Sequence, residues 1–345
     1  MNELEERLDE IYAIGGGPGA NRIGYSPEED EAHRLAAGWM RDTGLDVEVD
    51  PDGNLIGRRI GDDPDLPEVW SGSHLDSVPQ GGRYDGPLGV IGALEAVQRL
   101  GRRRRTLAVV AFREEERGCV GSRARTERGG LPGAFLELHH EQGPRLALAG
   151  APLAVVTGIV GYVRAERVIE GRPGHAGTTP MDAREDALVR AADEILRIRD
   201  IAQSIDGAVA TVGRIEAEPG GINVIPGRVR FTIDARAPDD ERLRRLMSEL
   251  GIDDAGAVPP TDFAGAPVDA LREALAARGL PLVELCSGAG HDAGVLARAG
   301  VPSAMLFVRA LNGGVSHSPD ELSSSEDVAL AVDVLTDALD RLASG

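Results

Sequence analysis

The sequence predicts an α/β protein built on a mainly parallel sheet and interrupted by an inserted α+β domain of ferredoxin-like order. Three observations carry that expectation. Two β-rich runs, at 69–73 and 106–111, enclose a stretch with Val90, Leu94, Val97 and Leu100 at helical spacing, which makes a β-α-β unit. Residues 155–250 instead read β-α-β-β-α, with period-two alternation in the later strands, the order of a small antiparallel sheet with helices on one face. Beyond residue 264 the α/β texture returns. The chain of 345 residues holds about two domains at roughly 150 residues each. The expected division is 1–156 with 264–345 for the first domain and 157–263 for the insertion.

Taken in order, residues 1–48 give two surface helices, with Leu4, Leu8 and Ile11 on one and Ala32, Leu35, Ala36, Trp39 and Met40 on the other, parted by a glycine-rich loop at 15–19. Strands follow at 46–49 and 55–58, then the β-α-β unit over 69–111 with its helix at 89–100. Residues 155–169 read as one long strand. A helix carries Leu188, Ala191, Ala192, Ile195 and Leu196 on one face; strands at 209–215 and 228–234 and a helix at 239–250 complete the insertion. The last stretch gives helices at 268–278, 292–298 and 325–343 and strands at 283–285 and 303–307.

Composition narrows the function. There are 37 basic and 57 acidic residues, a net charge of −20, so a phosphate-binding face for nucleic acid is not expected. All the basic residues are Arg, which removes Lys as Schiff-base nucleophile, P-loop ligand or acylation base. Two cysteines, Cys119 and Cys286, provide neither a disulfide framework nor a thiolate cage. The acidic N-terminus has no apolar signal-like core and no run of about 18 apolar residues appears, so a soluble, cytoplasmic protein without membrane contact is expected.

The chemistry concentrates where strands end. His74 and Asp76 follow the strand at 69–73, and Asp85 follows in a glycine-rich loop before a helix. An imidazole can bind a divalent ion through one nitrogen while Asp76 takes a hydrogen bond from its other nitrogen or from nearby backbone. The next strand runs into Glu114-Glu115-Glu116, whose mutual repulsion a cation would relieve, as suits a metal ligand beside a general base. Two further segments, Glu137-Leu-His139-His140-Glu141-Gln142 and His317-Ser-Pro-Asp320-Glu321, add histidines, and His291 lies in a third motif. Imidazole and carboxylate without sulfur fit zinc, manganese, cobalt or nickel in a paired site.

This set of motifs, with Gly174-His175, Asn223-Val-Ile-Pro-Gly and Ser287-Gly-Ala-Gly-His-Asp, resembles the M20-type metallopeptidase superfamily over nearly the whole chain. Within it the likeness is to the amidase/hydantoinase-carbamoylase branch, which includes N-carbamoyl-L-amino acid hydrolases, allantoate amidohydrolases and β-ureidopropionases. The resemblance implies a metal-binding catalytic domain with an inserted lid and dimerisation domain, and two divalent ions per subunit, zinc or manganese with cobalt or nickel as alternatives. The Asp85 carboxylate would bridge the two ions, and the Asp85–Gly86 peptide would be cis. His74 and His139 would complete one ion, Glu116 and His317 the other, with Glu115 as general base. His139 is preferred to His140 because the family reads Glu-Leu-His-x-Glu-Gln-Gly. The downstream Arg117-Gly118-Cys-Val-Gly121-Ser122 favours Glu115–Glu116 over the alternative Glu114–Glu115.

The same resemblance makes His175, Asn223 and Arg236 substrate-facing, with His175 and Asn223 donating to the developing oxyanion and Arg236 clamping a substrate carboxylate. In that family these three residues reach the metals of the partner subunit, which implies a homodimer; Gln142 and Gly290 would line the pocket, and the substrate would be a small carboxylate-bearing molecule. The activity implied is hydrolysis of a linear, non-peptide C–N bond in an N-carbamoyl-L-amino acid or allantoate. An M20-type aminoacylase or dipeptidase, or a metal-binding homologue without turnover, is the alternative. Two places depart from the family: the stretch between Glu116 and Gly121 and that from Arg236 to Val268 are short.

Overall fold

A computed structural model describes residues 3–345. They divide into two compact units, one running to Gly158 and again from Asp262 to Gly345, the other Ile159–Thr261. In chain order the first part comprises α1 (Glu3–Tyr12), α2 (Pro27–Asp42), β1 (Asp46–Val49), β2 (Leu55–Arg59), β3 (Val69–His74) and α3 (Pro87–Leu100). It continues with β4 (Leu107–Phe112), α4 (Val120–Arg128), β5 (Ala134–His140), α5 (Arg145–Ala149) and β6 (Leu153–Ile159). The smaller unit holds β7 (Gly161–Glu170), β8 (Gly174–His175), α6 (Ala187–Gln203), β9 (Val209–Glu218), β10 (Val224–Ile225), β11 (Arg228–Ala237) and α7 (Asp240–Leu250). The chain closes with β12 (Thr261–Asp262), α8 (Ala266–Ala277), β13 (Glu284–Ser287), α9 (Asp292–Arg298), β14 (Ser303–Val308) and α10 (Ser325–Ser344).

In the larger unit the sheet order is β1-β2-β4-β3-β5-β14-β6-β12. The central four strands, β4, β3, β5 and β14, run parallel, and β2 and β6 flank them antiparallel. Every residue of those four strands is buried, as strands covered on both faces by helices must be. α1, α3, α8 and α10 pack in one group against the sheet, and α4 with α9 forms another. Helix starts follow capping chemistry: Ser26 Oγ accepts from Glu29 N ahead of Pro27, and Ser324 caps α10 through Asp327 N.

Besides the short elements α5, β8, β10 and β12, the structure departs from the sequence reading at three places. The long strand expected at 155–169 is two strands, β6 in the large sheet and β7 in the small one, parted where the chain passes between units. β5 was not read as a strand because Glu137, His139 and His140 interrupt its apolar run, yet all three are buried. α4 was missed because it offers little apolar surface, its buried residues being only Gly121 and Ser122.

The smaller unit is a three-stranded antiparallel sheet, β7-β11-β9, whose β11 alternates buried and half-buried residues. Val163, Val229, Phe231 and Ile233 meet Ile198 of α6 and Leu243 and Leu246 of α7 in its core. A full ferredoxin-like order has a fourth strand after the second helix; here that strand is reduced to a single bridge between Tyr162 and Val258.

One buried group in α2 makes stability respond to acid. Burial, with the charge of Arg113 beside it, pulls the His33 imidazole down to about 3. Unfolded, the same ring takes its proton near 6.5, so between those values the unfolded state binds more protons and stability falls as pH falls, by about 1 kcal/mol per unit. His33→Leu should therefore lose less stability than the wild type between pH 7 and pH 5 in paired thermal melts. Equal losses would show that the ring plays no part.

Candidate metal centre

The C-terminal ends of the parallel strands carry the histidines and carboxylates, as open α/β sheets generally place their sites. His74 is the last residue of β3, Arg113–Glu116 follow β4 directly, His139 is on β5, and His317 lies in the loop after β14. Asp85 stands just before α3, where Gly86 turns the chain at φ +85°. A Cβ on Gly86 would lie 2.5 Å from the His74 ring, so glycine here allows both the turn and the close approach of the imidazole.

Asp85 is the common member of two groups. Its Oδ1 lies 3.4 Å from His139 Nε2 and 3.9 Å from His74 Nε2, and its Oδ2 lies 3.2 Å from His317 Nε2. His317 Nε2 is in turn 3.4 Å from Glu116 Oε2. His74, Asp85 and His139 thus form one candidate ligand set, and Asp85, Glu116 and His317 a second. Glu115 belongs to neither; its Oε2 is 3.9 Å from His74 Nε2 and its Oε1 accepts from Cys119 Sγ at 3.6 Å. Gln142 Nε2 donates to Asp85 Oδ2 at 3.0 Å.

Asp76 holds both halves of this arrangement. One of its oxygens is 3.2 Å from His74 Nδ1, and its two oxygens accept from the backbone N–H groups of Glu115 and Glu116. The third glutamate turns away: Glu114 pairs with Arg117 at 3.0 Å, and its own N–H donates to Glu29. His139 Nδ1 is 2.9 Å from the His140 carbonyl, which leaves Nε2 for the centre. His140 itself is stacked on Tyr84, with Nδ1 3.8 Å from Glu321. The Asp85–Gly86 peptide, expected cis, is trans; the only cis bond among the described residues is Glu218–Pro219. The reversal is made instead by the positive φ of Gly86.

Do these residues fit a divalent cation? His139 Nε2 and Glu116 Oε1 are buried without a hydrogen-bond partner, an arrangement that is costly unless something satisfies them. The charge balance points the same way. Burial and the neighbouring Asp85 push Glu116 up to about 7, and burial with Asp292 and Glu116 nearby pushes Glu115 well up. The hydrogen bond from His317 to Asp85, against burial, raises His317 to about 9. Burial opposes protonation of His74, but Glu115 and Asp76 outweigh it and raise its pKa well above the ordinary value. Asp85 alone of the ligand carboxylates is lowered, its burial outweighed by His317, His139 and His74. With Glu115, Glu116, His74 and His317 all drawn towards their protonated forms, the cluster is short of positive charge. With nitrogen and oxygen donors and no thiolate, it suits a zinc- or manganese-like ion.

Three buried groups, Glu137, Asp292 and Glu321, have no role in the sequence reading. Glu137 lies on the same face of β5 as His139, accepts from Ser73 Oγ at 2.7 Å and Ala293 N at 2.8 Å, and with His139 and His291 makes a third group of ligand type. Burial and the nearby Asp292 push it up to about 7. Period-two spacing from His139 was the available signal. Asp292, fully buried, and Glu321, four residues after His317, carry no such mark.

In the smaller unit His175 and Asn223 come together, because β8 pairs with β10 at His175 and Val224, and Ala176 N donates to Asn223 O. Both are exposed. Arg236 lies towards the other end of β11, with Nε 2.7 Å from Asp234 Oδ1 and its guanidinium 6.0 Å from the Tyr162 ring. Its fork is thus held on a carboxylate of its own strand. Gly290 is in the loop between β13 and α9, with open space where a Cβ would be.

The model of peptidase family M20/M25/M40 matches residues 70–341. The chain belongs to that family. This M20 chain is 37% identical to an N-carbamoyl-L-amino-acid amidohydrolase of Paenarthrobacter aurescens, over 98% of each chain. It is 32% identical to an allantoate amidohydrolase of Bacillus subtilis, over 96% of this chain and 95% of that one. Among solved structures it resembles a hydantoinase/carbamoylase family amidase from Burkholderia multivorans with a TM-score of 0.89 and 31% identity, covering 99% of this chain and 97% of the other. The first alignment runs over 405 positions against a chain of 345 residues, so that relative carries segments the M20 chain described here lacks. Gly118 N and Cys119 N donate back to the Glu115 carbonyl, and the chain leads straight into α4; within the smaller unit the strand pairing after α7 is the Tyr162–Val258 bridge. Among the described residues no helix is long and apolar enough to cross a membrane.

Proposed function

We propose that the protein is a dinuclear metal-dependent amidohydrolase that cleaves the ureido C–N bond of an N-carbamoyl-L-amino acid or of allantoate. What carries this reading is the Asp85 carboxylate, with His74 and His139 on one oxygen and His317, beside Glu116, on the other. The relatives named above, which act on such bonds by their names, support the substrate class. His74, Asp85 and His139 would hold one ion and Asp85, Glu116 and His317 the other, zinc or manganese with cobalt or nickel as alternatives. Such ions acidify water and polarise a carbonyl.

The chain's own groups supply the rest. Glu115, poised by burial to accept a proton, takes one from the attacking water and returns it to the leaving nitrogen. Asp76 keeps the His74 ring and the Glu115–Glu116 backbone in register. Gln142 orients the ureido end and Gly290 leaves room beside it. Arg236 exchanges Asp234 for the carboxylate of a substrate held at the metals of the partner subunit, and His175 and Asn223 donate to that substrate's carbonyl oxygen. The smaller unit serves as lid and dimerisation element in a cytoplasmic homodimer.

The test is ammonia release by protein loaded with manganese or zinc, from N-carbamoyl-L-amino acids, β-ureidopropionate and allantoate, with N-acetyl amino acids and dipeptides scored for amine release. Ammonia from a ureido substrate, abolished by a chelator and restored by metal, is expected. Amine release from acyl or peptide substrates alone would assign an aminoacylase or dipeptidase instead. Silence on the whole panel with a full metal count would assign a homologue without turnover.

A further inference from the structure

The loop that carries Asp85 and the loop that carries His317 are separated by more than two hundred residues of chain, yet one buried carboxylate ties them together. Glu321 Oε1 accepts from the backbone N–H of Tyr84 at 2.7 Å and of Asp85 at 3.0 Å. Its Oε2 accepts from Ser316 Oγ at 2.9 Å. The Glu321 side chain is itself fully buried. A Cβ on Gly82 would lie 2.1 Å from the Glu321 carboxyl carbon, so the Asp85 loop has a glycine where the carboxylate enters it. Tyr84 Oη adds a second tie, donating to the Ser323 carbonyl at 3.2 Å. Asp85 and His317, one residue beyond two of these anchors, end up 3.2 Å apart.

We propose that Glu321 is a positioning residue: by clasping the Tyr84–Asp85 backbone and Ser316 it sets the spacing of Asp85 and His317 and so the affinity of the ion held by Asp85, Glu116 and His317. This rests on the dinuclear reading above. Two backbone N–H groups converge on one oxygen of the clasp and the Ser316 hydroxyl on the other. An amide could keep all three ties by accepting from the backbone and donating to Ser316, whose hydroxyl also accepts, whereas alanine removes every one of them. The other ion keeps His74 and His139, whose ring nitrogens are held by Asp76 and by the His140 carbonyl and neither accept from the clasp nor donate to it. Loss of Glu321 should therefore fall unequally on the two ions, which general loosening of the fold would not do. Groups that hold ligands from behind typically change metal affinity by about 10- to 100-fold.

The experiment is a Co²⁺ titration of chelator-stripped protein, followed by visible absorption and by elemental analysis after dialysis, for wild type, Glu321→Ala and Ser316→Ala, with thermal melts of each. The wild type is expected to take two ions. Glu321→Ala should keep one tight ion and bind the other about 10- to 100-fold more weakly, and Ser316→Ala should shift the same ion in the same direction by less. If Glu321→Ala does not fold, Ser316→Ala decides. Variants that fold and take both ions as the wild type does, or that weaken both equally, overturn the inference alone. A wild type that takes fewer than two ions overturns the dinuclear reading and the inference with it.

Discussion

Glu115→Gln is expected to keep the metal content of the wild type and to lose about 10²- to 10⁴-fold in turnover, roughly 3–5 kcal/mol of transition-state stabilisation. The two halves of this outcome come from different features. Metal is retained because Glu115 is in neither ligand set and its backbone N–H, held by Asp76, is untouched by the change. Turnover is lost because the amide has no basic oxygen. The environment is what makes the native carboxylate suitable: burial, with Asp292 and Glu116 nearby, raises its proton affinity well above that of an ordinary glutamate, even with His74 opposing. Glutamine matches its shape, so the 3.6 Å contact with Cys119 and the packing against His74 give no reason for misfolding. Parallel metal analysis and kcat on the ureido substrate check both halves. Activity within tenfold of wild type would remove Glu115 as the base, and Glu114→Gln would be the next variant, although Glu114 is engaged with Arg117.

The parts of this molecule that were legible in its sequence are those where local chemistry and tertiary role agree. The β-α-β unit around α3 and the alternating β11 follow from spacing alone. The candidate ligands stand out as motifs, because His74, Asp85, His139 and His317 each sit in a short distinctive string. β5 was not legible as a strand for the reason that makes it important: it puts Glu137, His139 and His140 into the interior, so the apolar run that would mark a buried strand is broken by the site itself. The groups that hold the ligands were the least visible. Asp76 is two residues from His74 and could be guessed, but Glu321 acts on Asp85 across 236 positions and Glu137 on Ala293 across 156, and no local pattern encodes such a pairing. The choice between Glu114 and Glu115, open from the sequence, depends on which carboxylate turns outward, and the salt bridge from Arg117 to Glu114 is a property of the folded loop.

Asp85→Asn is expected to have the largest effect of any single change: loss of both ions and activity no higher than that of the stripped protein. Other ligand changes should be partial by comparison. His139→Ala leaves the Asp85–Glu116–His317 set complete, and Glu116→Ala leaves His74–Asp85–His139 complete, so each should cost one ion. Asp85 is common to both sets, and it is the ligand carboxylate whose surroundings most favour ionisation, burial being outweighed by three imidazoles. Asparagine removes that charge from a site where His74, His139 and His317 all face it. It also turns an N–H₂ towards either the His74–His139 side or the His317 side, whichever way the amide lies, and on the second side it would meet Gln142 Nε2, itself a donor at 3.0 Å. The backbone N–H of residue 85 still reaches Glu321 in the variant, so the loop keeps its anchor and the loss is one of ligation rather than of fold. Elemental analysis of the three variants, with thermal melts of the stripped proteins, checks this. If Asp85→Asn keeps two ions, the two ligand sets are not one centre, and the mechanism that depends on a shared carboxylate fails.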